Sequence, residues 1–104
     1  MIRILLVNSD EQQGAELASA LRSAGIIVSL TSALPSSLGG KFDAVLMDLS
    51  RNSEREWSVL DGLFKMTAID PINPPILCTS RMAPNAGTKL KVELRGARMA
   101  FYGG

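Results

Sequence analysis

The chain predicts a single α/β domain built on a parallel sheet, and three observations carry that prediction. Short β-branched or apolar runs alternate with stretches of helical spacing along all 104 residues. The runs are apolar almost throughout, the pattern of strands covered on both faces, and the connections between them are too long for hairpins. Alternation of this kind means βαβ units with right-handed crossovers, hence helices on both sides of the sheet in a three-layer sandwich. One domain spanning residues 1–104 is expected, because a chain of this size has surface enough for one core only.

Each element has its own warrant. Ile2–Val7 is the first strand. Ser9 or Asp10 can cap the helix that follows, and Gln12, three residues after Ser9, completes a capping-box pattern. Leu17, Ala18 and Leu21 share one face of that helix, Arg22 sits in its last turn, and Gly25 lies just beyond it. Ile26–Thr31 is the second strand. Residues 32–41 are broken by Pro35, Gly39 and Gly40 and leave room for one weak helical turn at best. Phe42–Asp48 is the third strand. Ser53 and Glu56 form a second capping box, opening a helix that turns Trp57, Leu60, Leu63 and Phe64 inward. Pro71, Pro74 and Pro75 close this unit, and Ile76–Thr79 is the fourth strand. Ala86, Leu90 and Leu94 at i, i+4 and i+8 predict a core-facing stripe on a third helix. Ala97–Tyr102 is the fifth strand.

Composition narrows the chemistry. Apolar residues make up 46% and charged residues 20%, ordinary globular values, and the net charge is +1. The balance gives no general affinity for nucleic acid or an anionic membrane. The chain has no histidine, which removes imidazole bases, Ser-His and Cys-His pairs and His-dependent zinc sites. A single cysteine, Cys78, allows no internal disulfide, and its place inside a strand reads as a small core residue. Only four apolar residues follow Arg3 and no cleavage site comes after them, so no signal peptide is expected. No run is long enough to span a membrane. A reducing cytoplasm is the expected compartment.

In an open parallel sheet, sites form beyond the carboxyl ends of the strands. Those ends carry Asn8-Ser9-Asp10, Asp48 and Thr79-Ser80. Polar groups from three strands therefore meet on one edge, although Ser9 and Asp10 are also good helix caps in their own right.

Ile-Leu-Leu-Val with its polar triplet, Phe42-Asp-Ala-Val-Leu-Met-Asp48-Leu, Pro75-Ile-Leu-Cys-Thr-Ser80 and Gly96-Ala97 together resemble the receiver domain of two-component response regulators, from Ile2 to about Tyr102. The resemblance implies a flavodoxin-like fold of five strands in the order 2-1-3-4-5. It implies Asp48 as the phosphoacceptor and Ser80, with Thr79 as the fallback, as the hydroxyl contacting the phosphoryl group. An acidic pair that would hold Mg²⁺ matches Asn8 and Ser9, neither of which is an acid. The metal ligands that remain are Asp10, Asp48 and Ser50, a weak set for a hard cation that favours anionic oxygens. The family's lysine position matches Gly103, and its aromatic switch position matches Ala100. Leu60-Asp61-Gly62-Leu63 lies further from Asp48 than its counterpart does, so the loop after the third strand is expected to be enlarged.

These departures weaken the offset of charge that phosphoryl transfer to a carboxylate requires. The expectation is a degenerate, or pseudo-, receiver: a non-enzymatic two-component signalling domain acting mainly through protein contacts. Asp48 would be its weak or vestigial phosphoacceptor, and its partner a histidine kinase, phosphotransfer or effector protein. Two other readings stand beside it. One is a small anion- or metal-binding module using Asp10, Asp48 and Ser80. The other is a basic partner surface formed by Lys91, Arg95 and Arg98 for an acidic protein or a polyanion, although nucleic acid is not expected. The family's last helix has no counterpart in the sequence. Its absence is expected to bare apolar sheet surface beside the first helix, for a second subunit or another segment to cover. Gly87-Thr88-Lys89 lacks the remaining residues of a phosphate loop and carries no such reading.

Overall fold

The structure is a computed structural model. It describes residues 1–36, 38, 42–49, 53–69, 74–80 and 86–101, with the side chains of 68, 69 and 99–101 outside the description. Five strands, β1 (Arg3–Val7), β2 (Ile27–Thr31), β3 (Ala44–Asp48), β4 (Ile76–Ser80) and β5 (Arg98–Phe101), alternate with α1 (Glu11–Ser23), α2 (Glu54–Ile69) and α3 (Ala86–Leu94). All pairings are parallel and the sheet order is β2-β1-β3-β4-β5, the flavodoxin-like order expected. Between β2 and β3 there is no helix among the described residues. There Leu38, 1% exposed, enters the core.

The pleat sorts the apolar runs into two cores. Leu5, Val7, Val45, Met47, Ile76 and Cys78 face α2 and α3, meeting Leu60, Leu63 and Val92. Ile4, Leu6, Val28 and Leu46 face α1 and pack on Ala18, with Leu17 and Leu21 at the margin. β1, β3 and β4 are buried on both faces, which explains their unbroken apolar runs, whereas the edge strand β2 buries only Val28.

The helix signals mostly work as read. Ser53 Oγ accepts from the Glu56 amide at 3.3 Å while Glu56 Oε1 accepts from the Ser53 amide at 3.2 Å, the reciprocal capping box at the start of α2. Past α1, Gly25 takes a φ of +86°, a left-handed turn that ends the helix at low cost in glycine. At the start of α1 the cap is Asp10, not a Ser9–Gln12 box: Asp10 Oδ1 accepts from the Gln13 amide at 3.1 Å. The reason lies one residue upstream, where Ser9 sends its hydroxyl across to α2.

Two expectations need correction. First, the stripe of Ala86, Leu90 and Leu94 does not face the core. The third helix is anchored by Val92, fully buried, while Leu90 is 56% and Leu94 76% exposed. Second, Trp57 and Phe64 are only half-buried at the margin of the core, which Leu60 and Leu63 fill. On the sheet face beside α1, Ile4 and Leu46 are buried and Leu77 is half-buried, while the side chains of β5 from 99 to 101 lie outside the description. No helix follows β5 among the described residues, and Tyr102 and Gly103 lie outside them. Among the described residues no helix is long and apolar enough to cross a membrane.

Candidate functional site

Three strand ends build the site. Register aligns Asp48 with Thr79 across β3 and β4, so both side chains leave the sheet on the α1 face. Asn8, just past β1, keeps the parity of Ile4 and Leu6 and joins them there. Asn8 Nδ2 donates to Asp48 Oδ2 at 3.0 Å, and Thr79 Oγ1 donates to Asp48 Oδ1 at 3.2 Å. Asp48 is wholly buried, and Asn8 and Thr79 are nearly so. A buried carboxylate needs such donors, since desolvation without them costs several kcal/mol.

The orientation of the Asn8 amide follows from its second bond. Its Oδ1 accepts from the Asp10 amide at 2.8 Å, a local turn that uses up the carbonyl and leaves the NH₂ to face Asp48. Ser9 has the opposite parity and turns to the α2 side. There its hydroxyl donates to Glu56 Oε2 at 3.1 Å. Glu56 is only 1% exposed, so one carboxylate serves both as helix cap and as the receiver of the β1 strand end. In the sequence Glu56 reads only as the partner of Ser53. Its burial and its second bond came from packing.

The residues expected at the site thus divide. Asp48 and Thr79 are in direct contact. Ser80 is buried and carries the opposite pleat, alongside Ile76 and Cys78, so the fallback hydroxyl is the one that touches Asp48. One oxygen of Asp10 caps α1. Ser50 lies outside the described residues, as does most of the loop expected to be enlarged after β3. Among the described residues no three His, Cys, Asp or Glu side chains gather as a metal cluster. Between β1 and β3 the donor presented to Asp48 is an amide NH₂, which repels a cation. These residues do not fit the multi-carboxylate Mg²⁺ site that the fold family implies.

The basic residues expected at a partner surface are not one stripe. Arg95 Nε bonds Asp61 Oδ1 at 2.7 Å, and its guanidinium carbon lies 5.2 Å from the centre of the Trp57 ring. Lys91 Nζ sits 5.7 Å from the same ring. The two cations thus hold α3 to α2 through a cation–π clamp. Arg98 lies on β5 in register with Leu77, and so shares the α1-side face instead. Cys78 is fully buried, and burial pushes its thiol from an ordinary value of 9.0 up to about 12, with Arg95 lowering it slightly. It stays a neutral core thiol.

No family model matches the sequence, and no curated protein matches it. Solved structures do. The receiver domain of HemR from Leptospira biflexa superposes with a TM-score of 0.73 at 24% identity, over 97% of this chain and 81% of that one. The chemotaxis protein CheY4 of Vibrio cholerae gives 0.73 at 17% identity, over 99% and 86%. A mutant receiver domain of the histidine kinase CKI1 from Arabidopsis thaliana gives 0.78 at 15% identity, over 98% and 80%. The fold is that of response-regulator receiver domains.

Proposed function

From that fold, we propose that the chain is a receiver-type signalling domain that works through protein–protein contacts rather than catalysis, with Asp48 a weak or vestigial phosphoacceptor. The observation that carries this reading is the engagement of both Asp48 oxygens in a buried site, one by the Asn8 amide and one by the Thr79 hydroxyl. An attacking carboxylate must offer an open lone pair to phosphorus, and it must meet positive charge as the transferring group gains negative charge. Here the carboxylate is wholly buried under its neighbours, so a phosphodonor must displace the groups that cover it, and the charge that builds up meets an amide where an acid–metal pair would stand.

In this reading the Asn8–Asp48–Thr79 trio is a structural clasp. It ties the ends of β1, β3 and β4 together without metal and fixes the edge that a partner would read. The partner is a protein of a two-component pathway, such as a histidine kinase, a phosphotransfer protein or an effector, met in the cytoplasm. Incubation with a small-molecule phosphodonor and Mg²⁺, followed by intact-mass measurement, tests it. Little or no phosphoryl gain is expected. A near-stoichiometric gain that Asp48→Asn abolishes would show a working acceptor and overturn the vestigial reading, leaving the fold untouched.

A further inference from the structure

The sheet has two edge strands, β2 and β5, and they differ in charge. β5 begins on Arg98, whereas β2 reads Ile-Val-Ser-Leu-Thr and no charged residue lies between Arg22 and Lys41. An uncharged edge rich in β-branched residues and free of proline is a template for a further strand. The direction of its backbone groups follows from the ladder. The Ile27 amide donates to the Ile2 carbonyl at 3.0 Å, and the Thr31 carbonyl accepts from the Asn8 amide at 2.9 Å. Residues 27, 29 and 31 therefore bond inward to β1, and the amides and carbonyls of Val28 and Leu30 turn outward. One of these groups is covered. Arg22, in the last turn of α1, donates from its guanidinium to the Val28 carbonyl at 2.9 Å.

We propose that Arg22 guards this edge against a second copy of the chain, which would otherwise add its own β2 antiparallel to the first. Two copies of β2 are complementary about a two-fold axis through Ser29. Val28 then faces Leu30 of the second copy, and Leu30 faces Val28, so each pair exchanges both of its outward backbone bonds. The axis sets Ser29 against Ser29 and Ile27 against Thr31, and no like charges meet. Ile27 and Leu30, 47% and 39% exposed, gain cover, and the joined sheet leaves no β2 edge open. That pairing needs the Val28 carbonyl of both copies, and Arg22 holds it in each. A register shifted by two residues in either direction still calls on Val28. The bond to be broken is a charged one, which holds association back about tenfold or more per copy, hence about a hundredfold for the pair.

Sedimentation velocity from about 10 µM to about 1 mM tests the guard, with far-UV circular dichroism to show that each variant keeps its fold. Wild type should stay monomeric across this range. Arg22→Ala should associate, its weight-average mass rising toward twice the monomer with concentration. Ser29 is exposed, and Ser29→Lys sets two ammonium groups together at the axis without touching the inward bonds. Added to Arg22→Ala, it should return the chain to the monomer. Amide exchange gives a second readout: the outward Leu30 amide should be slowed in Arg22→Ala at high concentration and not in wild type. An Arg22→Ala variant no more associated than wild type overturns the guard. Association that survives Ser29→Lys, or that leaves Leu30 exchange unchanged, overturns the pairing through β2.

Discussion

Asn8→Asp is the sharpest perturbation of the clasp. Asn8 Nδ2 now lies 3.0 Å from Asp48 Oδ2 in a buried site. The substitution replaces a donor with a second carboxylate at that distance. Two full charges 3 Å apart repel by about 5–6 kcal/mol at an effective dielectric of about 20. The charged hydrogen bond also goes, worth about 1.5–3 kcal/mol. The pair limits its loss by sharing one proton, which raises the apparent pKa of one carboxyl above its unfolded value. We therefore expect a net loss of about 3–5 kcal/mol at pH 7, a large part of what a small domain holds. The sign with pH follows. A carboxyl whose folded pKa is raised costs nothing below its unfolded value near pH 4, and destabilises increasingly as pH rises above it. Urea denaturation with chelator present, followed by Trp57 fluorescence, should thus show a deficit against wild type that grows from pH 4 to pH 7. Millimolar Mg²⁺ should recover part of that deficit in Asn8→Asp while leaving wild type unmoved. A variant as stable as wild type at pH 7 in chelator would refute the contact on which the clasp rests.

Other predictions concern the rest of the molecule. Arg95→Ala removes one ion pair and one cation over Trp57, both partly exposed, so unfolding should cost about 1 kcal/mol less and Trp57 emission should shift to the red. Gly62→Ala places a methyl 2.8 Å from Leu34 Cδ2, the free end of an exposed side chain that can swing aside; the gain in helix propensity should leave the variant equal to wild type or up to about 1 kcal/mol more stable by thermal denaturation. Cys78 should resist thiol reagents at pH 8 in the native state and react once urea unfolds the chain. Because its thiol is raised from 9.0 to about 12 on folding, its share of stability is whole below pH 9 and is lost as pH rises toward 12, up to about 4 kcal/mol; the pH dependence of wild type should exceed that of Cys78→Ala in this window.

The sequence by itself determined the strands and their parallel character. Runs such as Ile-Leu-Leu-Val and Ala-Val-Leu-Met can be satisfied only between two covered faces, and that forces crossovers and helices. It also determined the Ser53–Glu56 cap and the place of Asp48 at a strand end, because caps and strand ends are local. The choice between Thr79 and Ser80 was not local. It depended on the register of β4 against β3, since a shift of one residue turns every side chain to the other face. The same parity sends Asn8 to Asp48 and Ser9 to Glu56, which no reading of β1 alone could separate. On α3 the periodic leucines obeyed the rule for a core stripe, yet Val92 is the residue that packs. A nine-residue helix has two apolar edges, and only the position of α2 and of the sheet beneath it decides which is inside. What tertiary structure settled, in each case, was direction: which face a residue of known kind turns to, and which neighbour it finds there.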